Sequence, residues 1–210
     1  MSKKRRRKGV IILIIVLILM SSLLYVFLFR NTKNSKVVDE IKEYGYTLDD
    51  RDSEIMKENF IELKKVLSKE DVDYEEYAKL ISKLFVIDLY TMSNKVNKYD
   101  IGGVDYINPD HVDNYKLKVE DTMYRYLEEA SSRKNNKKLP TVSDVEIEEV
   151  SDINFEYANG TYDAYEIKAK WDYEKDLGYD DSATIKIIKM QVFFKNNSKK
   201  FINYLFFIGK

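Results

Sequence analysis

The chain has 210 residues, 34% of them charged and 44% hydrophobic, which is enough for one ordinary domain beyond an N-terminal apolar segment and too polar for a polytopic membrane protein. It has no cysteine and one histidine, His111, which excludes disulfides, thiol catalysis, a lipoprotein cysteine anchor, Cys-ligated zinc and His-rich metal sites. The formal net charge is −1, and taking away the six positive charges of Lys3, Lys4, Arg5, Arg6, Arg7 and Lys8 leaves −7 on the rest. Such an acidic balance does not suit phosphate-backbone binding, so no nucleic-acid partner is expected.

Residues 1–9 are a basic tail, and residues 10–29, VIILIIVLILMSSLLYVFLF, are uncharged, with Ser21 and Ser22 as the only polar side chains. At about 1.5 Å per residue this run crosses about 30 Å of hydrocarbon, which predicts a transmembrane helix. It exceeds the roughly 7–15 residues of a signal-peptide core and ends in YVFLFR without a small-x-small cleavage site, which predicts an uncleaved signal-anchor. The basic run precedes the span and only Arg30, Lys33 and Lys36 follow closely. The positive-inside rule then places the N-terminus in the cytoplasm and everything after Phe29 outside, giving a bitopic, single-pass protein of the cell membrane with an extracytoplasmic domain. Residues 30–50 read as a linker, NTKNSK, followed by a short helix of a turn or two over Val37 to Tyr44.

The expected domain covers residues 51–210. Ile55, Met56, Phe60, Leu63, Val66 and Leu67 recur at helical spacing behind Asp52, a suitable N-cap. A second helix starts at Asp73 with Glu76 three residues on, as in a capping box, and carries a broad apolar face from Tyr77 to Ile87. The Gly102-Gly103 pair and Pro109 interrupt the pattern before a third helix, expected from His111 to Ala130, with His111 as a surface residue. The helices thus fall within 51–131. The polar stretch SSRKNNKKLP reads as an exposed connection.

Between 141 and 208 the period changes to two. Val145 and Ile147, then after a shift in phase Ile153, Phe155 and Tyr157, lead to Asn159-Gly160, a hairpin signal. Tyr165, Ile167, Ala169, Trp171 and Tyr173 alternate with charged residues, so one face of that strand is covered and one is wet. Ile185 and Ile187, followed out of phase by Met190, Val192 and Phe194, predict a bulge in the next strand, and Phe201 to Ile208 is the last strand. The expected fold class is α+β, three helices packed on a curved four-strand antiparallel meander behind an N-terminal transmembrane helix.

No catalytic motif occurs: neither phosphate-loop glycine patterns, nor Gly-x-Ser-x-Gly, nor His-Glu-x-x-His is present. The carboxylates at Asp49, Asp50 and Asp52 and at Asp176, Asp180 and Asp181 lack calcium-loop spacing and read as turn chemistry, so no metal or cofactor is expected. Asp88 interrupts the apolar face of the second helix. Buried, it would be a base with Tyr90 or Tyr106 as hydrogen-bond donor; otherwise it points outward or caps the Gly102-Gly103 loop. Asp88, Tyr90, Tyr106 and Trp171 are the candidate lining of any ligand pocket.

The order of helices and meander resembles the nuclear-transport-factor-2-like cone fold. Carried on one N-terminal span, it resembles the scaffold subunits of type IV secretion and conjugal-transfer systems, and KLFVIDLYTMSNKVNKYDIGGVDYI, residues 83–107, is similar to segments of uncharacterised anchored proteins of low-GC Gram-positive bacteria. The resemblance implies a non-enzymatic envelope protein that binds other envelope proteins or itself. The alternatives are a tethered cone that holds a small ligand and an enzyme built on Asp88. An exposed apolar patch or strand edge would mark the first, and an enclosed pocket the second.

Overall fold

The structure is a computed structural model that describes residues 16–18, 20–21, 35–127, 138–157, 160–193 and 199–207, with side chains described as far as 189. The basic tail, most of the expected span, the start of the linker and most of the polar connection after 127 lie outside the described residues. Within the span, 16–18, 20 and 21 are helical, and among the described residues no helix is long and apolar enough to cross a membrane. The chain divides into two compact units, 1–35 and 36–210.

The second unit is α+β with antiparallel sheets. It opens not on a helix but on a hairpin, β1 (Val37–Ile41) and β2 (Tyr46–Asp49), which corrects the short helix expected over Val37 to Tyr44. Two physical signals favour the hairpin. Val37 and Val38 are β-branched, and Gly45 adopts φ 77°, a left-handed turn conformation that glycine enters without steric cost. The amides of Tyr44 and Gly45 both donate to the Ile41 carbonyl, at 2.9 and 3.0 Å. Tyr46 and Leu48 are buried in the main core, so the hairpin belongs to the domain.

Helix α1 (Glu54–Leu67) is capped by Ser53, whose hydroxyl accepts the Met56 amide at 3.3 Å, rather than by the expected Asp52. Helix α2 (Tyr74–Tyr90) is capped by Asp73, which accepts the Glu76 amide at 3.0 Å as expected. It is the central element, buried from Tyr77 to Tyr90 at eleven positions, because it packs on α1 and on the sheet together. Helix α3 (Val112–Asp121) is shorter than the His111–Ala130 expected and follows 3₁₀ turns at Val104–Tyr106 and Pro109–His111. The Thr122 hydroxyl bonds back to the Lys118 carbonyl, and the chain leaves helical geometry there, at φ −116° and ψ −90°. The turns that follow bury Tyr124, whose hydroxyl donates to the Leu89 carbonyl at 2.7 Å.

Strands β3 (Val142–Tyr157), β4 (Gly160–Tyr173), β5 (Ser182–Phe193) and β6 (Lys199–Phe207) form the expected meander in the order β3-β4-β5-β6. The bulge expected in β5 is absent: its register with β4 and with β6 runs without a slip. Irregularities occur in β3 instead, between Val142 and Asp144 and between Ile147 and Glu149. The second explains the phase shift. Val145, Ile147 and Val150 pair with Trp171, Ala169 and Ile167 on the core face, whereas Ile153 and Phe155 pair with Ala164 and Tyr162. Val150 and Ile153 are an odd number of residues apart, so the second group lies on the opposite face of the strands. The far half of the hairpin therefore has its apolar residues on the side that is wet in the near half. Ala164 and Ile188, paired in register, are buried there outside the main core.

Candidate functional site

The four residues singled out from sequence divide into two pairs. Tyr90 at the end of α2 and Trp171 in β4 pack on each other with ring centroids 4.4 Å apart, and both are buried between helix and sheet. This layer is filled by side chains. Asp88 and Tyr106 meet on the other side, where α2, the end of the β1–β2 hairpin, the start of α1 and the 94–106 segment surround a cavity of about 120 Å³.

The fold of the 94–106 segment is fixed by Asp88. One carboxylate oxygen accepts the Gly103 amide at 2.6 Å, and the other pairs with Lys95, whose side chain is 7% exposed. Asp88 is thus a structural cap of the Gly102-Gly103 loop. Gly102 runs against the backbone of α2, where a Cβ would overlap the Asp88 carbonyl. Gly103 has φ 77°, and a Cβ there would come within 2.7 Å of Phe85 and of the Tyr115 hydroxyl. The Tyr115 hydroxyl in turn donates to the Gly102 carbonyl at 2.6 Å. A second ion pair closes the segment: Arg51 Nη1 lies 2.6 Å from Asp100 and 2.8 Å from the Asn94 carbonyl, and Asp100 also accepts the Val96 amide at 2.7 Å.

Five aspartates line the cavity, Asp49, Asp52, Asp88, Asp100 and Asp105. Arg51 and Lys95 are the cations of the wall, engaged with Asp100 and Asp88 respectively. Asp52 and Asp105 are held by neutral donors: Asp52 accepts the Asp49 amide at 2.7 Å, and Asp105 accepts the Thr47 amide and hydroxyl at 2.9 and 2.7 Å. The charges respond accordingly. Burial pushes Asp52 up to about 6, with the neighbouring Asp88 and Asp49 adding to the rise, and burial likewise raises Asp105. Burial acts to lower Lys95, but the Asp88 carboxylate outweighs it and keeps the ammonium charged. Burial acts to raise Asp100, and its bonds to Arg51 and to the Val96 amide outweigh that and hold it low.

Three buried polar atoms on this wall have no hydrogen-bond partner: the Tyr106 hydroxyl, Asn94 Oδ1 and Arg51 Nε. Tyr106 is 1% exposed and its ring stacks on Tyr46 with centroids 5.4 Å apart. Among the described residues, no group of three or more His, Cys, Asp or Glu side chains is placed to hold a metal ion.

Sequence reasoning found Asp88 and Tyr106 but missed Arg51, Asp52, Lys95, Asp100 and Asp105 as a cluster. A lysine within two turns of an aspartate that breaks an apolar helix face is the signal that could have found Lys95. His111 is part-exposed, and its Nε2 lies 2.7 Å from the Tyr157 hydroxyl. No protein-family model, curated protein or solved structure matches this chain.

Proposed function

We propose that the protein is a single-span membrane protein, N-terminus cytoplasmic, whose extracytoplasmic domain is a non-catalytic, cone-like interaction module of the nuclear-transport-factor-2-like kind, serving as a scaffold in an envelope assembly such as a secretion or conjugation machine. The observation that carries this reading is the exchange of faces in the β3–β4 hairpin. Beyond the irregularity at Ile147 and Glu149, Ile153 and Phe155 are only part-buried and Tyr162 is 38% exposed, on strands whose near half already packs the core with the opposite face. Apolar side chains so placed have no role in the main core and suit a protein partner.

The charges around them describe that partner. On the face of Phe155 and Tyr162 the charged residues nearest the patch are already paired, Glu149 with Lys168 and Glu166 with Lys186, so the complementary surface is mainly apolar. A ligand held between helix and sheet is disfavoured, because Tyr90 and Trp171 occupy that layer.

The test is site-specific photocrosslinking of the full-length protein in its native membrane, from a photoreactive residue at Phe155 or Tyr162 and, as a control, at Glu62 on α1. Crosslinking of one membrane protein in stoichiometric yield from the hairpin positions and not from Glu62 is the expected result. Equal yields from all three positions, or none, would overturn the reading.

A further inference from the structure

The needs left unmet around the cavity between α2 and the β1–β2 hairpin are mostly those of acceptors, with Arg51 Nε an unmet donor beside them. The cavity wall carries five carboxylates and two cations, and both cations already face a carboxylate of their own. Asp52 and Asp105 form no ion pair among the described residues, and Tyr106 on the same wall, all but fully buried, carries a hydroxyl without a partner. Asn94 Oδ1 is a further buried acceptor left unmet. An unmet hydroxyl at 1% exposure is costly, and a part-buried carboxylate without a counter-charge is costlier still. Neutral side-chain packing does not produce such a wall.

We propose that this cavity binds a primary ammonium group, carried either by a free small amine or by a lysine side chain of a partner. The chemistry matches in number and sign. An ammonium has three N–H donors and one positive charge. The Tyr106 oxygen, Asn94 Oδ1 and the Asp52 or Asp105 carboxylate are three acceptors with negative charge to spare; Arg51 Nε, a donor, is not met by the amine. Anions are repelled by the excess of aspartates, and a directly ligated metal ion finds no group of three side chains placed for it. The protein already uses this chemistry once: Lys95 inserts its own ammonium against Asp88 on the same wall and stays charged there. At about 120 Å³ the cavity is several times what one water requires, so it admits an ammonium with a short alkyl stem.

The test is thermal unfolding of the full-length chain in detergent at pH 7.5 and constant ionic strength. It is titrated with ethylammonium, with tetramethylammonium, which has the charge but no N–H, and with N-acetyl-lysine N-methylamide. Ethylammonium or the lysine derivative is expected to raise Tm with a saturable dependence, and tetramethylammonium is expected to leave it unchanged. A lower midpoint for the lysine derivative assigns the site to a partner lysine, and a lower midpoint for ethylammonium assigns it to a free amine. Tyr106→Phe removes one acceptor and is expected to raise the midpoint concentration about tenfold, the usual worth of a hydrogen bond to a charged group. Asp52→Asn keeps the oxygen that accepts the Asp49 amide and removes the charge, and the same direction is expected. Equal Tm shifts with all three cations, or midpoints unchanged in both variants, would overturn the proposal.

Discussion

Tyr90 and Asp88 lie two residues apart on α2, and their surroundings are opposites. Tyr90 sits in a dry layer against Trp171, where packing dominates and the Trp171 Nε1 is buried without a hydrogen-bond partner. Asp88 sits in a wall of charges, where Lys95, the Gly103 amide and the cavity decide the local chain path. On the first side the free energy comes from filled space and is spread over many contacts. On the second it is concentrated in a few charge-assisted bonds, each dependent on its partner. One helix can serve both because residues two apart project about 200° apart around the axis.

The comparison is broken most severely on the apolar side. Trp171→Ala leaves a cavity against Tyr90 that the sheet cannot close, and a loss of about 4 kcal/mol in chemical denaturation is expected, against about 1–2 kcal/mol for Trp171→Phe. A loss below about 1 kcal/mol for the alanine variant would mean that the helix–sheet layer is not the main core.

Lys95→Met ranks next. It strands Asp88 in a part-buried site with only the Gly103 amide to hold its charge, and a loss of about 3 kcal/mol is expected, partly recovered as pH is lowered and the carboxylate is neutralised. Equal losses at pH 5 and pH 7.5 would show that Lys95 acts through packing alone.

The smallest effect has the opposite sign. Asp52 is raised to about 6 in the folded chain from an ordinary 3.8. The stability that its bound proton contributes is therefore complete below about pH 4 and is lost as pH rises through about 6. Asp52→Asn is accordingly expected to stabilise the protein at pH 7.5 by about 2 kcal/mol, taking about 1.4 kcal/mol per unit and discounting for partial exposure, and to make no difference near pH 4. The two unfolding curves measured at pH 4.5 and 7.5 decide it. A gain independent of pH would place the cause outside the charge.

Much of the fold is legible in the chain because it rests on local periodicity. The apolar spacing of α1 and α2, the Asp73 cap and the alternation of β4 each state their own geometry, since the faces they bury are set by residues three, four or two apart. The β1–β2 hairpin was hidden because the five residues of β1, Val37–Ile41, carry no clean alternation and the turn depends on one glycine. In β3 the phase shift was visible, but which strand carried a bulge depended on pairing with β4, and the apolar residues of β5 pair in register through Ile187 and Ile188 without one.

The sequence by itself determined the order of elements from α1 to β6, the acidity of the domain and the pairing of Asp88 with the Gly102-Gly103 loop as one of its two readings, because these follow from side-chain type and near-neighbour spacing. Only the tertiary structure decided that Tyr90 and Asp88 part company, that Arg51, Asp52, Lys95, Asp100 and Asp105 gather on one wall, and that the far half of the hairpin turns its apolar side the other way. Those outcomes depend on contacts between residues tens of positions apart, and on a single-residue slip that reverses every side chain beyond it, neither of which leaves a local pattern to read.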